Sequence, residues 1–270
     1  MLRPASANSL CRARGAFSAA IILVVLFAAP PAALAQVLFS GYTWYARSGT
    51  GGPGPNTFTS DNVSVDANGY LHLRIAHNHN QWTTSEVFSA DAFGFGTYEF
   101  QISGHPELMD DNVVLGLFNY PTADPDTTNE IDIEFATWGG QQSVHGNWTV
   151  WPAELQAGLG PTTFAFDASA AADTSTYRFN WTPRQVHYEA LNGWTDDAAG
   201  LYRSWTFAPV DYALRVPQHP IPVHMNLWLF EGNAPTDRQD VDITIARFRF
   251  VPECIFADAF ETVMGSCVLK

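Results

Sequence analysis

Apolar residues recur at every second position over much of this chain. Tyr70-Leu71-His72-Leu73-Arg74-Ile75, Tyr177-Arg178-Phe179-Asn180-Trp181 and Val241-Asp242-Ile243-Thr244-Ile245-Ala246-Arg247-Phe248-Arg249-Phe250 all alternate in this way. That period belongs to strands with one buried face, and the three-to-four spacing of helices is nearly absent, so the chain is expected to be all-β. Turn residues fall between the runs, at Gly51-Gly52-Pro53-Gly54-Pro55, Asn68-Gly69, Gly94 to Gly96, Gly139-Gly140, Asn192-Gly193 and Gly232-Asn233. Many short strands with polar turns predict two packed antiparallel sheets, a sandwich or jelly roll. Residues 166–176, rich in Ala, Ser, Asp and Thr, read as a loop or one short helical turn, since strand patterns continue on both sides. One domain is expected over residues 36–252; the pattern stops there, leaving 253–270 as an appendage.

The first 35 residues break this pattern. Arg3, Arg12 and Arg14 precede an apolar run that ends on Ala33-Leu34-Ala35, a small-residue cleavage pattern, so residues 1–35 read as a secretory signal peptide. The uninterrupted stretch from Ala19 to Ala29 is too short to span a bilayer, and Pro30-Pro31 would break a helix at its end. The expected product is secreted, extracellular or periplasmic, with no membrane attachment after cleavage. Loss of three arginines and no acids takes the formal charge from -14 to -17, which disfavours nucleic acid and anionic lipid as partners. Nine Trp, nine Tyr and 19 Phe supply flat aromatic surface suited to a neutral polymer. Cys254 and Cys267 remain after the leader; they either pair and staple the tail, as an oxidising compartment allows, or stay free thiols.

The candidate chemistry lies in Asn129-Glu130-Ile131-Asp132-Ile133-Glu134-Phe135. On a strand this spacing places three carboxylates on one face, roughly 6 to 7 Å apart, and Ile131, Ile133 and Phe135 on the other. Such a row repels itself unless protons or a ligand relieve it. The plain alternative is a solvated strand face. Cleaving a glycosidic bond with retention needs one carboxylate as nucleophile and one carboxylic acid to protonate the leaving oxygen, and Glu130 and Glu134 share a face for that purpose, with Asp132 between them.

Glu130-Ile131-Asp132-Ile133-Glu134-Phe135 resembles the active-site strand of the family 16 glycoside hydrolases, which include lichenases, laminarinases, agarases and xyloglucan transglycosylases. Ser85-Glu86-Val87-Phe88-Ser89, Phe93-Gly94-Phe95-Gly96-Thr97-Tyr98-Glu99, Leu117-Phe118-Asn119-Tyr120, Phe164 to Ser169, Tyr177 to Pro183 and Met225-Asn226-Leu227-Trp228 are similar to further family stretches, in order. The resemblance implies a β-jelly-roll with Glu130 as nucleophile, Asp132 as the assisting carboxylate and Glu134 as acid/base. It also implies sugar contacts from Glu86, Phe118, Tyr120, Asn147, Asn226 and Trp228. A polysaccharide, in particular a β-glucan cut at internal β-1,3 or β-1,4 bonds, is the expected partner of a monomeric chain. Transglycosylation, sugar binding without turnover and a purely structural sandwich are the rival readings.

Departures from the family pattern bear on the substrate. Thr128-Asn129 stands where the lichenase-like pattern has Trp-Asp, and Phe88 stands where an Arg usually follows the upstream Glu by two positions. A structural Ca²⁺ often carried by the family takes an Asp on the final strand; Thr244 aligns there, with Asp242 on the same face, so no cofactor or metal is expected. His77-Asn78-His79 lacks a third ligand at a persuasive spacing and fits a turn after a strand ending near Ala76. Trp44, Trp82, Trp138, Trp148 and Trp151 are open between stacking platform and core. Asn62, Asn147 and Asn180 begin glycosylation sequons, the last two inside expected strands.

Overall fold

The computed structural model describes residues 34–78, 80–121, 129–153 and 158–253. Most of the leader, His79, Thr128, Cys254 and Cys267 fall outside these residues, and the expected disulfide with them.

Alternation and turn chemistry produce two large antiparallel sheets, the jelly-roll that the pattern predicts. The first runs in the order β1 (Ala35–Phe39), β2 (Tyr42–Ala46), β8 (Ser85–Phe93), β17 (Ile221–Leu229), β10 (Val113–Asn119), β11 (Ile131–Phe135), β12 (Gly146–Val150), β13 (Thr162–Phe166). The second runs β16 (Leu201–Phe207), β15 (Val186–Asn192), β14 (Thr174–Trp181), β9 (Gly96–Ser103), β18 (Val241–Pro252), β6 (Leu71–Asn78), β5 (Val63–Val65), with β7 (Gln81–Thr83) paired to β6. A short hairpin, β3 (Gly49–Gly51) with β4 (Asn56–Phe58), stands apart. Strand β1 starts at Ala35, one residue ahead of the expected mature terminus. Strand β6 runs on to Asn78, two residues beyond the end read from the sequence, because β7 folds back to pair with it. The one α-helix among the described residues is the single turn Tyr212–Arg215.

The core lies between the sheets and is strongly aromatic. Phe135 on the first sheet meets Tyr177 on the second with ring centroids 4.7 Å apart. Trp148 stacks on Phe166 at 4.1 Å and on Tyr188 at 5.4 Å, and Trp44 packs edge-on against Phe248 at 5.3 Å. Both Trp44 and Trp148 are therefore core, while Trp82 is half-buried beside His77. Truncating Trp148 to Ala removes one of the largest buried side chains and leaves a cavity its stacked neighbours cannot fill. We expect Trp148→Ala to lower unfolding free energy by about 3–5 kcal/mol in urea titrations.

The outer face of the first sheet is also well covered, which is why its strands show no clean buried-exposed alternation. A second apolar cluster of Phe58, Val114, Ala136 and Trp228, joined by Trp138 and Phe230, packs on that face. It walls one end of the surface that carries the acidic strand.

Candidate active site

Backbone register builds the site in two rows across the first sheet. Glu86 on β8 pairs with Asn226 on β17, Asn226 with Gly116 on β10, Gly116 with Glu134 on β11, and Glu134 with Asn147 on β12. One step along, Phe88 pairs with His224, His224 with Phe118, Phe118 with Asp132, and Asp132 with Thr149. Glu130 precedes β11, and its carbonyl is tied to the Trp151 N–H at 2.9 Å. All three acids line one cleft of about 660 Å³, while Ile131, Ile133 and Phe135 are fully buried on the opposite face. The face assignment read from the spacing therefore holds.

Burial sets the protonation of these carboxyls, because charge is costly away from water. It pushes Glu130 up to about 7, against a hydrogen bond from Asp132 that pulls the other way. Asp132 is driven well above the usual carboxylate range by burial and then by the charges of Glu130 and Glu134. The Trp151 indole donates to Asp132 Oδ2 at 3.1 Å, which opposes that rise. Burial, followed by the Glu130 charge, pushes Glu134 up to about 8. The order fits an ionised Glu130 that accepts a hydrogen bond from a protonated Asp132, with Glu134 keeping its proton.

Glu86, Phe118, Tyr120, Asn226 and Trp228 line the same cleft. Asn147 does not; it is buried beside Glu134, its amide donating to the Ala136 carbonyl at 3.3 Å. Asn226 Oδ1 and Asn147 Oδ1 are buried with no hydrogen-bond partner among the described residues. In the cleft, the bare amide oxygen of Asn226 suits a ligand rich in hydroxyl donors. Gly116 makes the Asn226 placement possible, since a Cβ there would lie 2.5 Å from Asn226 Oδ1. Trp138 packs on Trp228 at 6.2 Å and on Phe230 at 5.8 Å, and Trp151 serves Asp132 through its N–H.

Sequence reasoning missed Arg47 and His224. Glu86 is almost wholly buried, with Arg47 Nη1 on Oε2 at 2.7 Å and His224 Nδ1 on Oε1 at 2.9 Å. Burial alone would raise Glu86, but the hydrogen bond from His224 Nδ1 and the Arg47 guanidinium outweigh it and leave the carboxyl below its usual range. The alternation that places Asn226 and Trp228 on the cleft face also places His224 there, two residues earlier. No comparable signal exists for Arg47, which comes from β2 and the turn after it.

The aligned calcium position does not fit the ion. Asp242 is held by Arg74 Nε at 2.6 Å and His72 Nδ1 at 2.8 Å, and His72 also faces Thr244 Oγ1 at 3.4 Å. An imidazole and a guanidinium occupy the two carboxylate oxygens that a hard cation would need. The three sequon amides are likewise engaged, Asn62 with Thr83, Asn147 with Ala136 and Asn180 with Thr97.

The sequence profile of glycosyl hydrolases family 16 matches residues 55–247. Among solved structures, a Bacillus licheniformis β-glucanase shares 22% identity, covering 78% of this chain and 92% of its own, with a TM-score of 0.58. A Bacteroides ovatus family 16 protein of a mixed-linkage glucan locus, in complex with a G4G4G3G product, shares 13% over 77% of this chain and 94% of its own, TM-score 0.58. A laminarinase from Flavobacterium sp. UMI-01 shares 15% over 77% and 92%, TM-score 0.56. At these identities the likeness concerns the fold. No curated protein matches the chain.

Proposed function

The chain belongs to glycosyl hydrolases family 16, and from that membership we propose that it is a secreted endo-glycosidase that hydrolyses internal β-linkages of a β-glucan with retention. The observation that carries this reading is the trio Glu130, Asp132 and Glu134 in one cleft, with protonation ordered as double displacement requires. Glucan-acting structural neighbours support the substrate class. No helix among the described residues is long and apolar enough to cross a membrane.

In the first step the Glu130 carboxylate attacks the anomeric carbon while Glu134 gives its proton to the departing glycosidic oxygen. Asp132 steadies the Glu130 charge through their shared hydrogen bond before attack. Ester formation then removes the negative charge that had helped hold the Glu134 proton, so Glu134 becomes the stronger acid after its proton has gone, and its carboxylate stands ready to deprotonate water. Water attacks the same carbon, the ester breaks, and the carboxylate returns. The inserted-sugar alternative, with an acceptor hydroxyl in place of water, uses the same groups.

The test is a digest of lichenan, laminarin, xyloglucan, agarose and carrageenan, with product sizing and proton NMR of the first-formed anomer. Oligosaccharides of retained configuration from a β-glucan are expected; inverted products, or no reducing ends from any of them, would overturn the reading. Activity should also follow a bell in pH. The ascending limb reflects ionisation of Glu130 near 7 and the descending limb loss of the Glu134 proton near 8, so kcat/KM should peak between them. A rate that still climbs above pH 9 would contradict Glu134 as the acid.

A further inference from the structure

Phe88 lines the cleft beside Glu86 and His224. The Phe88 ring does not lie idle: it stacks on His224 at 5.6 Å with an interplanar angle of 24°. Phe118 covers the other side of the same imidazole at 5.1 Å and 26°. Glu86 takes Nδ1, and Arg47 takes the other oxygen of Glu86 while also donating to the Gly52 carbonyl at 2.8 Å. Two faces and one nitrogen of His224 are thus fixed. The remaining nitrogen, Nε2, is buried with no partner among the described residues, in a side chain that lines the cleft. Tyr120, an exposed residue, stands at right angles to the imidazole at 6.0 Å.

We propose that His224, clamped by Glu86, Phe88 and Phe118, is a substrate-contacting specificity residue whose Nε2 receives a hydroxyl of an uncharged sugar unit. An ionised carboxylate only accepts hydrogen bonds, so Nδ1 carries the ring hydrogen and Nε2 of the neutral imidazole presents a lone pair. A sugar hydroxyl is the matching donor. Register places His224 two strands from Asp132, about 10 Å at ordinary strand spacing, so the sugar it grips is one removed from the bond being cut. A uronate or sulfated unit is disfavoured, because it would bring a second anion toward three clustered carboxyls. Glu86 acts here as a positioning residue. It holds the imidazole by one oxygen and Arg47 by the other.

This inference rests on the reading of the cleft as a sugar site, but its test does not require turnover. Isothermal titration of Glu134→Gln with laminaripentaose, cellopentaose and a mixed-linkage glucan tetrasaccharide, against carrageenan and galacturonate oligomers, measures binding alone. Adding His224→Phe keeps an aromatic ring between Phe88 and Phe118 and removes both nitrogens. Affinity for the neutral ligand should fall about tenfold, or ~1.4 kcal/mol, for one lost hydrogen bond. Nitrogen NMR of His224 in the chain with its native imidazole gives a second measurement that does not depend on the variant folding. The Nε2 resonance should move on saturation with the same oligosaccharide. An affinity unchanged within about twofold beside a static Nε2 signal overturns the proposal, as does binding of charged oligomers only, or of none. A chain that cleaves glucan yet ignores His224 loses this inference alone; one that binds through His224 without releasing reducing ends loses the hydrolase reading alone.

Discussion

Glu130→Gln is expected to cut kcat/KM on a confirmed β-glucan by roughly 10⁴-fold or more, the loss typical of removing a nucleophile from a coupled catalytic set. The amide has the shape of the carboxylate and can still accept from Asp132, so the fold and the cleft should survive. It cannot form an ester with the anomeric carbon. The substitution also deletes the negative charge that helps raise Glu134, whose proton should then be lost at lower pH than in the parent. Reducing-end release by the purified variant, with circular dichroism to establish folding, makes the measurement. Hydrolysis within about tenfold of the parent would mean that Glu130 is not the nucleophile, because the residual rate of a disabled centre lies far below that.

The acidic strand was legible because its information is local. Period-two spacing alone puts Glu130, Asp132 and Glu134 on one face, and the structure keeps Ile131, Ile133 and Phe135 in the core on the other. Asn226 and Trp228 were legible for the same reason. What alternation does not carry is which strand lies beside which. Arg47 reaches Glu86 across 39 residues and Glu86 reaches His224 across 138, through the neighbour order β2-β8-β17 that only the assembled sheet supplies. The aromatic residues failed as signals for another reason. A tryptophan that stacks on sugar and one that stacks on Phe166 are the same side chain on the same kind of strand, so Trp148 as core and Trp151 as donor to Asp132 had to be seen. Burial of the cleft floor adds to this, since hydrophilic residues such as Asn226 and Asp132 are nearly as enclosed as the core.

Glu134→Gln separates the two glutamates by leaving group. General acid assistance matters most when the departing oxygen is basic, as a sugar hydroxyl is, and least for an aryl oxide that leaves without a proton. On polysaccharide the variant should lose about 10²–10⁴-fold in kcat/KM, whereas a dinitrophenyl β-glycoside should still form the glycosyl-enzyme at a rate close to the parent's. Release of the first equivalent of dinitrophenol as a burst, followed by slow turnover, is the expected trace, because water attack then lacks its base. Equal losses on both substrates would remove Glu134 from the acid role. Stability gives a second, independent reading of the same group. A carboxyl raised in the folded state from 4.5 to about 8 costs nothing while it is protonated in both states, below pH 4.5, and holds back folding increasingly as pH rises from there to 8. The parent should therefore weaken between pH 5 and 8 by on the order of a few kcal/mol, and Glu134→Gln, with no proton to lose, should weaken less over the same interval in urea titrations. Parallel pH dependences for parent and variant would show that Glu134 ionises as freely in the cleft as in the unfolded chain, and the site would then lack the held proton that its chemistry needs.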